Sequence, residues 1–514
     1  MSESAFNTTL PEWPGLQIQE TSLTIDRDTI FAVVTTTDQQ QKLAVQTSAQ
    51  ISALPGFDGA VASAGEQTLW LGPLSAQNAA WLRGRLPWLR PATQGLRTTV
   101  GLGDRLGLAT PGHLRAVRAA GGQLVPFPAQ QSIREMTRTG RTPQQVMDDA
   151  TWGVFAEGWR SGFGADADHL KTPEDIDRCL AAGYTFYTFD PGQYVDDTSV
   201  ELSATALLAR VRELPWEQLE DRPADLFARY LQGPLACESS YTIKFDEQTL
   251  ARAAVKYGRA VAHVVSLYRY LARVGADKDW EVEISVDETE WPTTPAEHLY
   301  IATELQRLGV NWVSLAPRFI GRFEKGVDYI GDLQAFEDDI AVHAALARTL
   351  GPYKISLHSG SDKFSIYEPA VRQTGGLVHL KTAGTSYLEA LHTVAALDAD
   401  LMRAIYAFAR ERYPEDRASY HVSAELERAP ALASLTAETL PSLLEQFDAR
   451  EILHVTFGSV LTARTDGGQW RFYDQIMELL RTNSEVYATY LQTHFLRHLQ
   501  PFARANSQGI HQQQ

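Results

Sequence analysis

The sequence predicts an α/β fold, a (β/α)8 barrel of the TIM type, and three observations point to it. Between about residues 98 and 400, short strand-like runs alternate with helical patterns eight times. Each run ends in a Gly-rich or polar turn. The residues at those ends are polar and chemically capable, as expected where the active site lies at the C-terminal ends of barrel strands. An open doubly wound sheet is the alternative closure of the same units.

The first 95 residues precede this rhythm. They contain two β-rich runs, FAVVTTT (31–37) and TLWLGP (68–73), and read as an N-terminal α+β extension. The barrel is expected over 96–400. Its first three strands are TTVGLGD (98–104), QLVPFPAQQ (123–131) and SGFGADADHLK (161–171). Thr172 and Pro173 then read as the N-cap and first residue of a helix. YTFYTFDPG (184–192) is the fourth strand, followed by a polar insertion and a long helix from about Phe245 to Val274. In the fifth, WEVEISVDE (280–288), Val282, Ile284 and Val286 face one way and Glu283, Ser285 and Asp287 the other. NWVSLAPRF (311–319), YKISLHSGS (353–361) and GLVHLKTAG (376–384) complete the eight, with helices at 295–308 and 333–350. Residues 401–514 read as a helical region packed on the barrel.

Composition excludes several functions. The chain of 514 residues carries 46 Lys+Arg against 63 Asp+Glu, a formal charge of −17. With no compensating basic face, no nucleic-acid or anionic-membrane partner is expected. No apolar run is long enough to span a membrane. The opening residues MSESAFNTTLPEWPG show no secretory pattern. Cys179 and Cys237 are too few for a disulfide framework or a Cys-rich zinc site. A cytoplasmic protein is expected, with self-association into a homo-oligomer left open. The absence of GxxxxGK[ST], or of GxGxxG after a strand, speaks against a nucleotide cofactor.

The strand ends supply the candidate chemistry. Asp168-His169 ends the third strand and His358 the seventh. Imidazoles beside carboxylates suit a divalent cation with open positions for substrate, whereas an isolated histidine is more often a hydrogen-bonded core residue. Glu283 faces the barrel interior, as an acid/base group or half of an ion pair. The loop RFIGRFEKGVDYIGD (318–332) carries Glu324, Lys325, Asp328 and Asp332 between glycines. Glu324 is the expected third metal ligand, with Asp328 its rival. Arg105, Lys171, Arg318, Lys363 and Lys381 form a cationic rim suited to an anionic substrate.

Six strings in this order carry a family resemblance: GDRLGLATPGHL (103–114), DADHLKT (166–172), EISVDETEWPT (283–293), FEKGVDYIGD (323–332), LHSGSDKFSIY (357–367) and HLKTAGTSYLEAL (379–391). They resemble the tagaturonate/fructuronate epimerase family from about Thr99 to Leu391. The resemblance implies a divalent-metal-dependent sugar-acid epimerase of hexuronate catabolism acting on a small keto-sugar acid. It implies Asp168 as proton acceptor, Glu283 as donor, His169 and His358 as ligands, and a further ligand near 324–328. The metal would be Zn, Ni, Mn, Co or Fe. The Asp-His pair, the later Glu and the His-x-Gly-Ser turn are also similar to class II aldolases. RFIGRFEKG (318–326) holds no counterpart of the aldolase loop histidine. A metal-dependent aldolase or ketose isomerase is therefore the alternative. A two-carboxylate glycoside hydrolase and a non-catalytic sugar-binding barrel stand further off.

Overall fold

The structure, a computed structural model, describes residues 11–48, 54–64, 67–237 and 241–509. The opening ten residues, on which part of the secretory reading rests, lie outside the described residues. The chain forms two compact units, Met1–Arg90 with Thr151–Arg160, and Pro91–Ala150 with Ser161–Gln514.

The smaller unit is built on an antiparallel sheet of β1 (Leu16–Ile18), β2 (Thr24–Asp26), β3 (Thr29–Thr36), β4 (Gln41–Ser48), β5 (Ala60–Ala64) and β6 (Gln67–Pro73). Its path runs β1-β3-β4-β6-β5, with β2 paired to β3. Alternation along the strands sends Ala32, Val34, Ala44 and Leu69 into one cluster with Trp13. On β3, the neighbouring residue Phe31 meets Trp81 of the helix Ala76–Arg85 at 6.0 Å between ring centroids. Ser75 starts that helix, its hydroxyl accepting from Asn78 N. The two predicted strand runs fall in β3 and β6, so the α+β expectation stands.

In the larger unit, β7 (Thr99–Gly101), β8 (Val125–Phe127), β9 (Ala129–Ser132), β10 (Ala165–Leu170) and β11 (Phe186–Phe189) come first. A short hairpin in the insertion, β12 (Leu235–Cys237) and β13 (Tyr241–Ile243), stands apart. Then follow β14 (Glu281–Ser285), β15 (Ser314–Ala316), β16 (Lys354–Leu357) and β17 (Val378–Lys381). The parallel sheet runs β8-β7-β17-β16-β15-β14-β11-β10-β9. Its two ends are halves of one strand divided at Pro128, which has no N–H to give to a ladder. β8 pairs with β7 and β9 with β10, so the sheet closes into an eight-stranded barrel. These eight strands are the eight that the sequence pattern predicts.

Local chemistry fixes the helices. Thr172 and Thr294 cap helices Pro173–Ala182 and Pro295–Arg307, each within a reciprocal capping box. Asp246 and Asp332 cap Glu247–Val274 and Leu333–Leu350. The C-terminal helix Ser484–Gly509 lies against Thr110–Ala120. The approach is so close that a Cβ on Gly112 would fall 2.6 Å from Leu491 Cβ. Among the described residues, no helix is long and apolar enough to cross a membrane.

The barrel interior mixes charged groups with the rings of Phe127 and Phe186, which pack on His379. Lys354 Nζ donates to Thr99 Oγ1 at 3.1 Å, and Thr99 Oγ1 lies 2.6 Å from His379 Nδ1. Burial pushes the Lys354 ammonium down to about 8 against the opposing pull of Glu281, Glu283 and Asp166. This ionic column leads up to the strand ends.

Candidate active site

At the C-terminal mouth of the barrel lies a cleft lined among others by Gln130, Asp168, His169, Asp287, His358 and Lys381. Strand geometry places these groups. β10 delivers Asp168 and His169, and His169 is held at φ 55°. A left-handed conformation at a β-strand histidine costs on the order of 1–3 kcal/mol and marks a position fixed by its surroundings. Alternation along β14 stacks Glu283, Ser285 and, just beyond the strand, Asp287 on one face. β16 ends immediately before His358, and Ser359 follows at φ 48°.

Both histidines are gripped from behind. His169 Nδ1 lies 2.7 Å from Asp168 Oδ1, and His358 Nε2 lies 2.7 Å from Glu283 Oε1. Their other ring nitrogens converge on Asp287 Oδ1, His358 Nδ1 at 3.0 Å and His169 Nε2 at 3.6 Å. His169 Nε2 is buried without a hydrogen-bond partner. One ligand atom from each of His169, Asp287 and His358 can lie within 4.8 Å of the others. A carboxylate behind each imidazole fixes its orientation and raises its basicity, as around metal-bound histidines. Two nitrogens and a carboxylate oxygen suit a borderline divalent cation. The residues therefore fit such an ion.

A second cluster, Asp362, His494 and His498, has its candidate atoms already engaged. Arg450 Nη2 lies 2.9 Å from Asp362 Oδ1, and the main-chain N–H of Asp362 donates to His498 Nε2 at 2.8 Å. It is an internal ion-pair network.

A family model described as tagaturonate epimerase matches residues 19–502 of this sequence. The chain belongs to the tagaturonate epimerase family. A tagaturonate/fructuronate epimerase of Thermotoga maritima is 44% identical over 423 residues, 82% of this chain and 84% of that protein. Crystal structures of a fructuronate-tagaturonate epimerase from Cohnella laeviribosi superpose with a TM-score of 0.88. The native form is 37% identical and covers 95% of this chain and 97% of its own; a glycerol complex gives the same identity. The chain is thus an isomerase-type enzyme.

In this tagaturonate epimerase family member, the charges around the cleft are strongly coupled. Burial opposes ionisation of Asp168, but Lys381 and His169 outweigh it and hold the carboxyl well below its usual range. Glu283 is held low in the same way by Lys381 and His358. Burial disfavours the His169 imidazolium, and Asp168, Asp287 and Glu288 reverse that effect, holding it well above the ordinary histidine range. Lys381 Nζ stands 3.0 Å from Asp166, 2.7 Å from Asp168 and 2.8 Å from Glu283.

The sequence-derived candidates divide by position. Asp168, His169, His358, Lys381 and Arg105 line the cleft. Glu283 is fully buried beneath it, touching His358, Lys381 and Thr188. Glu324 is not among the cleft residues: its Oε2 accepts from Ser423 N at 2.9 Å and Oγ at 2.7 Å. Its neighbour Glu451 is pushed up to about 8 by burial and by Glu324. The rival Asp328 accepts from Ser365 instead. Asp287, which shares the inward parity of Glu283, offers an oxygen that lies with one nitrogen of each histidine within 4.8 Å of one another.

The cations expected at the rim divide in the same way. Lys363 is fully buried, and its Nζ donates to the carbonyls of Glu324, Val327 and Ser361. Lys171 pairs with Asp190 at 3.1 Å, and Arg318 is not among the cleft residues. Arg105 pairs with Glu135 and lies over the Phe457 ring at 3.6 Å. Sequence reasoning did not single out Arg134, Glu135, Glu288 or Tyr420, which also line the cleft. Tyr420 comes from beyond the barrel strands, where no strand-end rule applies.

Proposed function

We propose that this enzyme interconverts D-tagaturonate and D-fructuronate with a divalent cation held by His169, Asp287 and His358. The carrying observation is the unpartnered His169 Nε2 facing Asp287 and His358, with Asp168 and Glu283 behind the two imidazoles. Glu135, Asp166, Asp168, Glu283, Asp287 and Glu288 outnumber the cations Arg105, Arg134, Lys325 and Lys381 around the cleft, so the net charge there still favours a dication. Zinc, nickel, manganese, cobalt and iron all suit this donor set. Bound there, the ion would supply Lewis acidity toward the ketone oxygen of the substrate.

The stereocentre to be inverted is β to the ketone, so its C–H is not acidified by the carbonyl. Breaking the neighbouring C–C bond inverts it without removing that hydrogen. Asp168 faces the cleft and accepts the proton of the β-hydroxyl as the bond breaks, leaving an enediolate and an aldehyde. The aldehyde turns, the C–C bond re-forms on its other face, and the new alkoxide takes up a proton. Glu283 has no cleft surface, so its share in that return passes through Lys381, whose Nζ lies 2.8 Å from it. Gln130, donating to Asp168 Oδ2 at 2.9 Å, keeps the acceptor oriented.

The purified protein should convert tagaturonate to fructuronate, lose that activity on chelation and regain it with a single divalent metal. Full turnover by metal-free protein would refute the metal assignment. Net release of two fragments in place of the epimer would identify the aldolase alternative.

A further inference from the structure

Four cations line the cleft, and three of them are already neutralised. Arg105 pairs with Glu135, Arg134 is bidentate with Glu288, and Lys381 is surrounded by Asp166, Asp168 and Glu283. The fourth is Lys325. Its Nζ donates to Ser359 Oγ at 2.7 Å, and among the described residues no carboxylate oxygen lies within 4.0 Å of it.

The main chain around Lys325 is clamped by two other buried cations. Lys363 Nζ holds the carbonyls of Glu324 and Val327, and Arg450 Nε holds that of Gly326. Gly326 itself is at φ 76°, and a Cβ there would fall 2.9 Å from His454 Nδ1, so the turn admits little else. Four consecutive residues are thereby fixed, and one side chain among them projects to the cleft with a single neutral partner. Ser359 directly follows His358, which places the ammonium beside the cation-binding group.

We propose that Lys325 is the residue that reads the carboxylate of the substrate and makes this cleft selective for keto-uronates over neutral ketohexoses. The inference rests on the proposed function for the identity of the sugar. Lys325 itself carries the spare positive charge, while Lys363 and Arg450 are positioning residues that act through it. Burial and Arg134 push the Lys325 ammonium below the usual lysine range against the opposing pull of Glu288, Glu135 and Asp287, and an incoming carboxylate offsets the remaining cost. In the retro-aldol sequence, the same contact retains the carboxylate-bearing aldehyde while its carbonyl end turns.

The test compares wild type, K325M and K325R, each loaded with metal, on D-fructuronate and on D-fructose, by steady-state kinetics and calorimetric binding. Circular dichroism and thermal midpoints establish that the variants fold. The expected result for K325M is a KM and Kd for D-fructuronate raised about 10- to 100-fold, the size of one charge-assisted hydrogen bond. Binding of D-fructose changes less than about threefold, and K325R recovers most of the uronate affinity. Equal losses on both sugars, or an unchanged preference for the uronate in K325M, would overturn the assignment. A wild type that binds D-fructuronate in preference to D-fructose without epimerising it would refute the proposed function. The binding comparison with K325M would still decide the role of Lys325.

Discussion

Replacing Asp287 by alanine is expected to leave the protein without its divalent cation and lower epimerisation by about 10³-fold or more. That figure corresponds to several kcal/mol of charge stabilisation removed from the reacting oxygen. The His169→Ala variant should behave alike, because each residue supplies one of three converging ligand atoms. Glu324→Gln is the contrasting case. Its carboxylate serves Ser423, so metal content should stay at the wild-type level. Elemental analysis of the three purified variants decides the matter. Metal retained in the Asp287 variant and lost in the Glu324 variant would return the third ligand to the loop.

The second large effect concerns Lys381. Its ammonium is the shared counter-charge of Asp166, Asp168 and Glu283, and burial has removed most solvent from all four groups. Their pull outweighs burial and holds the lysine above its usual range. Lys381→Met should therefore destabilise the fold by about 3–5 kcal/mol, the usual cost of orphaning a buried charge. Activity should fall with it, since Asp168 loses the contact that holds it ionised. Chemical unfolding of the variant measures the first effect. Adding Asp166→Asn should recover part of the loss, because one of the stranded charges is then removed. A Lys381→Met protein as stable as wild type would mean that the three carboxylates do not depend on it.

Most of the fold was legible because the barrel repeats one simple unit. Each strand is a short apolar run closed by a turn, and Thr172 and Pro173 announce a helix start by local chemistry alone. Less visible was the division of the second strand at Pro128, which follows from the missing N–H but matters only once two neighbours are known. For the site, period-two alternation on β14 was enough to turn Glu283 inward. Followed two steps further, it also reaches Asp287.

The loop 318–332 was hard to read for a physical reason. Its charges are indistinguishable in sequence, yet Glu324 satisfies main-chain donors, Asp328 caps Ser365, and only Lys325 faces the cleft. The cationic rim was legible only in part, since Arg105 and Lys381 line the cleft and Lys363 and Arg318 do not. Lys363 and Arg105 have the right sign, but long-range partners absorb them, and a pairing such as Arg105 with Glu135 across a strand is invisible to spacing. Cleft residues from beyond the barrel, such as Tyr420, needed the tertiary structure itself.

Epimerisation in deuterated water tests the central claim most directly. If the C–C bond opens and re-forms, the hydrogen on the inverted carbon never leaves it. NMR of the product formed by the metal-loaded enzyme should then show that carbon with its original protium, however many turnovers have passed. One deuterium per turnover at the inverted carbon would require removal of its C–H proton, and would contradict the retro-aldol account.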